Sequence, residues 1–272
     1  MRRLFALLAV FFGVGFAHAQ EPTFLRLQSE KNVPQALQTA TITYTKGDVS
    51  VDLVAAIHIG DRAYYKSLNK QFEQYEPLLY ELVAKPGVVP EKGKSNMTAA
   101  VVKIMFDLDH QLERINYKKA NFVHADLSLD EMKKVWAKRN EDGAVVTLRL
   151  LADLLQKQNE TSKKLKDNPL EGIGIGLDLY NADGPLGYKR AFAKTMCSQL
   201  AEGQMPTMNQ ILIKDRNKRC MEVLAEQLKA GKKKIGIFYG AAHMGDFDTR
   251  LTKLGFKRGE PVWLIAWDLT EE

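Results

Sequence analysis

Cysteine is nearly absent from this chain: its 272 residues hold two, Cys197 and Cys220. Neither belongs to a Cys-x-x-Cys pair or stands beside a histidine, which argues against a structural zinc site. In an oxidising compartment the two could form one disulfide, and two buried thiols on separate helices are the equal alternative. A second long apolar run is also missing. Beyond residue 17 nothing approaches the roughly 20 apolar residues of a spanning helix, so no stable membrane span is expected after processing. Basic stripes are missing too. The net charge is +6, of which Arg2 and Arg3 supply two. The other basic residues are scattered, apart from the short runs at 163–166 and 232–234, so nucleic acid is not an expected partner.

What the N-terminus does have is an export signal. Arg2 and Arg3 precede an unbroken apolar run from Leu4 to Ala17, and Ala17-His18-Ala19 supplies a small-x-small cleavage site before Gln20. Residues 1–19 are therefore expected to be removed. The mature chain, 20–272, is expected to be a soluble domain in the periplasm or outside the cell.

Alternation and helical spacing predict an α/β domain. Ile42–Tyr44 and Val49–Ile57 read as strands around the turn Lys46-Gly47-Asp48. Asp61–Tyr75 reads as a helix with Tyr65, Leu68 and Phe72 on one face, and Pro77–Val83 as an apolar strand. From about 97 to 230 the pattern is helical, with stripes at Val101, Met105, Leu108, Leu112, Ile115 and at Val145, Leu148, Leu151, Leu155. Ser128-Leu129-Asp130-Glu131 is a capping box for a helix through Trp136. Gly172-Ile173-Gly174-Ile175-Gly176 lacks the strand before, the helix after and the spacing of a dinucleotide loop, so it reads as a plain loop. The chain then returns to strand Lys234–Ala241, helix Phe247–Leu254 and strand Pro261–Trp267.

An internal repeat organises these elements. Ala55-Ala56-Ile57-His58-Ile59-Gly60-Asp61 aligns with Gly240-Ala241-Ala242-His243-Met244-Gly245-Asp246. Each copy ends a strand, opens a helix and is followed by a strand starting at a proline, Pro77 or Pro261. The expectation is a central mixed sheet built from two β-α-β repeats, with the helical segment inserted between them. Both histidines then stand at strand C-terminal corners, where open α/β sheets bind ligands.

His58 and His243 are the leading candidates for chemistry, because neutral imidazole is both a common metal ligand and the usual general base. Glu81, within Leu78–Val83, is a carboxylate that is costly to bury without a cation or partner. The second repeat carries Ile265 in its place. Asp61 and Asp246 each read as an N-cap. Arg216 could fork onto a substrate carboxylate or an oxyanion, though a solvated helix face is the plainer reading. Asp126 and Ser128 read as serving a turn, and His124 with Asp126 as a weaker ligand pair.

In this order and spacing the motifs resemble the TraB/GumN (TIKI-type) family, whose fold is related to the erythromycin-esterase and haem-binding ChaN proteins. The family pattern is a Gly-x-x-His near each end, a Glu on the strand after the first and an Arg-Asn pair before the last. Here these are Ala55-Ala56-Ile57-His58, Glu81, Arg216-Asn217 and Gly240-Ala241-Ala242-His243. Ala55 departs from the pattern, which has glycine there. The resemblance covers most of residues 40–267. It implies a metal-dependent peptidase using manganese or cobalt.

The expected activity is thus that of an exported metal-dependent hydrolase acting on a peptide or small-molecule substrate. His58, Glu81 and His243 would hold the metal, Glu81 or the metal would activate water, and Arg216 with Asn217 would steady the anionic intermediate. Metal-free hydrolysis with a histidine activating water is chemically open to the same residues. A haem carrier of the ChaN type, with a histidine or Tyr239 on the iron, is the alternative from another class. A catalytically silent interaction protein is the third.

Overall fold

The structure is a computed structural model. It describes residues 24–90, 108–139, 144–146, 148–149, 152–153, 184–201 and 209–270. The expected export signal, the Gly172–Gly176 loop and four residues of the two apolar stripes (Val101, Met105, Leu151 and Leu155) lie outside the described residues.

A seven-stranded mixed sheet carries the fold. It begins with a hairpin absent from the sequence reading: β1 (Leu25–Glu30) and β2 (Val33–Lys46). Lys31 and Asn32, both with positive φ, form its two-residue turn, the geometry that matches strand twist. β2 is long enough to pair along one edge with β1 and then with β3 (Val49–Ala56), and along its other edge with β9 (Lys257–Asp268). Beyond β3 the sheet is parallel. β3 pairs with β8 (Lys234–Gly240), β8 with β5 (Leu78–Tyr80), and β5 with β7 (Phe122–His124).

Side chains alternate across these strands, as the pleat requires. Val54, Ala56, Leu78, Tyr80 and Phe238 face one core, with Tyr64, Tyr65 and Leu68 of helix α1 (Arg62–Gln71) packed on them. Val51, Leu53, Leu79, Ile235, Ile237 and Tyr239 face the other. That second face is covered by two later helices.

The sequence expectation of a helical insertion is corrected in part. β6 (Asp109–His110) pairs with the short β4 (Ile59–Gly60), and α2 (Gln111–Arg114) follows. The described part of the first stripe is therefore not one continuous helix. β7, also inside the insertion, joins the main sheet. α3 (Leu129–Ala137) has the expected capping box, with Ser128 and Glu131 bonded reciprocally. α4 (Gly184–Ala201) packs against the α1 face. α5 (Asp215–Lys229) and α6 (Met244–Lys253) are the two helices on the opposite face. Cys197 is on the first face and Cys220 on the second; both are free thiols. The disulfide alternative falls because the sheet separates them.

The two repeats interleave. β3–α1–β5 moves across the sheet one way, passing over β8, while β8–α6–β9 moves the other way, passing over β3 and β2. Crossovers of one handedness that run in opposite directions place their helices on opposite faces, as α1 and α6 are. The neighbours β3 and β8 thus form a topological switch point, and the crevice beyond their C-termini is the expected ligand site of such a sheet.

Candidate functional site

Four adjacent parallel strands each deliver a polar side chain just beyond their C-terminal ends. His58 follows β3, His243 follows β8, Glu81 follows β5 and Asp126 follows β7. Glu81 was expected inside its strand; it is the first residue past it. That position lets its Oε2 accept from the Gly240 N–H at 2.7 Å.

Gly240 marks where three of these groups meet. A Cβ at Gly240 would lie 3.4 Å from Glu81 Oε2, 3.9 Å from His58 Nε2 and 3.9 Å from His243 Cδ2. The repeat therefore brings both histidines to one pocket with Glu81.

Arg216 enters from the first turn of α5, which follows a π-helical turn at Asn209–Lys214. The expected solvated face is corrected: Arg216 is buried. Its Nε and Nη2 fork onto Asp126 Oδ1 and Oδ2 at 2.9 and 2.6 Å, and Nη2 also donates to Glu81 Oε1 at 2.6 Å. Nη1 faces the Leu212 carbonyl at 3.3 Å and His243 Nε2 at 3.4 Å. With all five N–H groups directed at protein acceptors, Arg216 acts on the pocket through Glu81 and His243. The neighbouring Asp215 is held by Arg139 at 2.8 Å through both oxygens and by Gln210 at 2.8 Å, which fixes the start of the helix.

Asn217 stands behind His243, away from the pocket. Its amide nitrogen donates to the His243 carbonyl at 3.0 Å and to Asp246 Oδ2 at 2.9 Å. Both partners are acceptors, so Asn217 Oδ1 must be the atom 2.6 Å from His243 Nδ1. His243 Nδ1 therefore carries a proton, and Nε2 is turned toward Glu81 and Arg216. Tyr239 stacks edge-on against the same ring at 5.1 Å. The N-cap reading holds in position for Asp61 and is corrected for Asp246. Asp246, inside the first turn of α6, orients Asn217 and accepts from Arg250. Asp61 holds the N-cap place but makes no side-chain cap bond; it accepts from the Asp268 backbone and Lys189.

His58 occupies the mouth. Its ring is exposed, and Nδ1 lies 3.3 Å from Gln111 Oε1. His243, by contrast, is 4% exposed and forms the floor.

Electrostatics follow from this packing. Burial pushes Glu81 toward its neutral form, but the His243 hydrogen bond and charge, with Arg216 and His58, outweigh it and hold the carboxyl well below its usual range. Burial likewise opposes the Arg216 charge, and Asp126 and Glu81 overcome it. His110, paired with Ile59 beside the pocket, is lowered by burial and by His58. Glu81 and Asp126 together outnumber Arg216 by one charge, in a group whose side chains are at most 10% exposed.

Sequence reasoning missed three contributors. Asp126, assigned to a turn, is the bidentate anchor of Arg216. Its partner in that reading, His124, is turned away and bonds the Leu82 carbonyl at 2.8 Å. Gln111 lay in the presumed helical stripe. Gly240 was seen only as a corner residue, although its N–H binds Glu81. Tyr239, the alternative haem ligand, is buried and donates its hydroxyl to the Ala125 carbonyl at 2.6 Å.

The donors fit a divalent cation in kind: two imidazoles and a carboxylate that stays ionised, beside an excess negative charge. They are not closed around one. Among the described residues, no group of three or more His, Cys, Asp and Glu side chains is disposed to hold a metal ion as it stands. Also among the described residues, no helix is long and apolar enough to cross a membrane. Comparison with protein-family models, curated proteins and solved structures finds no match to this chain.

Proposed function

We propose that this chain is an exported hydrolase, acting on peptides, whose pocket of His58, Glu81 and His243 takes a divalent cation, manganese or cobalt. One observation carries the proposal. His243 Nε2 and Glu81 Oε1 face each other at 3.5 Å, while the only proton fixed on the ring is at Nδ1. With a second proton on Nε2 this is the imidazolium–carboxylate contact that helps Arg216 keep Glu81 ionised; with Nε2 bare, the nitrogen and the carboxylate turn two lone pairs toward one point, and a bound cation would take the proton's place there. A further cation relieves both the contact and the excess negative charge. The TraB/GumN resemblance points to the same residues.

When bound, the cation would act as a Lewis acid and activate water. The chain's own groups do the rest. Asn217 and Asp246 hold the His243 ring in one orientation. Arg216 and the Gly240 N–H fix the Glu81 carboxylate, which accepts a proton only at acid pH. His58, exposed at the mouth, has Nε2 toward the same space and would hold the cation from the side open to substrate. Residues 1–19 supply export, which N-terminal sequencing of periplasmic or secreted material tests: mature protein starts at Gln20, and an intact Met1 would refute it.

The activity test is metal analysis of native protein followed by a peptide-library assay with added manganese or cobalt. Bound metal and cleavage lost in Glu81→Gln support the proposal. Metal-free protein without cleavage under every metal contradicts it, and a Soret band would favour the haem carrier.

A further inference from the structure

His58 and His243 are held from behind by carboxamides on opposite sides of the sheet, and only the second belongs to a motif. For His58 the carboxamide is Gln111. We infer that Gln111 is a positioning residue that sets the tautomer of His58, keeping the proton on Nδ1 and the Nε2 lone pair toward the pocket.

Gln111 grips His58 twice. Its backbone N–H donates to the His58 carbonyl at 2.8 Å, and its side-chain Oε1 lies 3.3 Å from His58 Nδ1. The Gln111 side chain belongs to a buried residue, so its amide group has few choices of partner. Its nitrogen donates to Tyr117 Oη at 2.8 Å, which turns the oxygen toward the imidazole. Tyr117 is itself buried, and its ring packs on Tyr80 at 5.3 Å. Tyr80 immediately precedes Glu81. The chain His58–Gln111–Tyr117–Tyr80 thus links the ring to the strand that delivers the carboxylate.

This arrangement matters because His58, unlike His243, is exposed and would otherwise sample both tautomers and several ring orientations. A second-sphere hydrogen bond at one ring nitrogen fixes which nitrogen presents its lone pair. Gln111 gives the exposed histidine the constraint that Asn217 gives the buried one. It touches neither substrate nor cation, and it rests on the hydrolase reading only for its purpose; the tautomer is a property of the free protein.

The test is nitrogen NMR of the imidazoles in the neutral form, on the full mature chain without metal. Wild type shows His58 protonated at Nδ1. Gln111→Leu shows a tautomer mixture, and Gln111→Glu, which restores an acceptor, restores the wild-type tautomer. Should Gln111→Leu fail to fold, Tyr117→Phe keeps Gln111 and removes only the oxygen that orients its amide; it too gives a mixture. Titration with Zn2+ alone weakens about 10–100-fold in Gln111→Leu and recovers in Gln111→Glu. A wild-type His58 protonated at Nε2 would mean the amide is turned the other way and would overturn the inference. So would a tautomer unchanged in Gln111→Leu or Tyr117→Phe. If the tautomers behave as stated but wild type binds no cation, the metal reading falls and the assignment of Gln111 stands.

Discussion

Asp126 takes the Arg216 guanidinium side-on, with both carboxylate oxygens engaged at 2.9 and 2.6 Å and essentially no solvent access. This pair anchors the arginine that in turn holds Glu81. Removing one member leaves a buried charge without its partner, which typically costs about 3–5 kcal/mol. Arg216→Met and Asp126→Asn should each lower stability by an amount of that order in denaturant unfolding. Arg216→Lys should be nearly as damaging, because an ammonium cannot reproduce the fork. Losses below about 1 kcal/mol would show that the pair is not structural.

Gly240→Ala separates the site from the fold. Gly240 has φ −55° and ψ 144°, a conformation open to alanine. The new methyl would meet Glu81 Oε2 at 3.4 Å and His58 Nε2 at 3.9 Å, ordinary contact distances. Thermal stability should hold or rise by up to about 1 kcal/mol, while the methyl fills the space the three groups share. Cation affinity and turnover should fall by about tenfold or more. A variant that binds as wild type does would move the site elsewhere.

Much of this was legible in the sequence. The repeat placed His58 and His243 at matching corners because a β-α-β unit writes its period and its punctuation locally. Glu81 was legible as an anomaly, a carboxylate beside a strand of buried leucines. What was not legible arises from pairing across the chain. Nothing around Asp126 announces that Arg216, 90 residues later, will close on it. Gln111 looked like one more polar residue in a helical stripe, because β6 and α2 exist only through pairing with Ile59–Gly60. β1 and the first half of β2 were missed because β2 is buried on both faces through much of its length, which blurs the alternation that marks a half-exposed strand.

Stability should fall at both ends of the pH range. Glu81 is lowered in the fold from the 4.5 of an unfolded chain. Its contribution is therefore complete above that value and is lost as pH falls below it. Glu81→Gln should flatten this acid limb of a melting-temperature profile. Burial, the leading cause in each case, raises Tyr44, Tyr64, Tyr65, Tyr75, Tyr117 and Tyr239 above 10. They favour the fold fully below that value, and stability drops as pH rises past it. Near-UV titration should show these tyrosinates appearing with unfolding. Their appearance in the native protein near pH 10 would contradict the burial.

Thiol chemistry should follow the sheet. Burial pushes Cys197 up to about 11 and Cys220 further, so both should react slowly with thiol reagents, Cys220 only after unfolding. Reductant should leave the melting temperature unchanged. A drop on reduction would mean that the two are bonded.

The central claim, that His58, Glu81 and His243 make one cation site, is tested most directly by calorimetric titration of residues 20–272 with Mn2+. The account predicts one equivalent bound by wild type. Binding should be lost in His243→Ala and Glu81→Gln, and also in His58→Ala, whose exposed ring makes it the variant least able to disturb the fold. No heat of binding to wild type, or equal binding by wild type and His58→Ala, would contradict it.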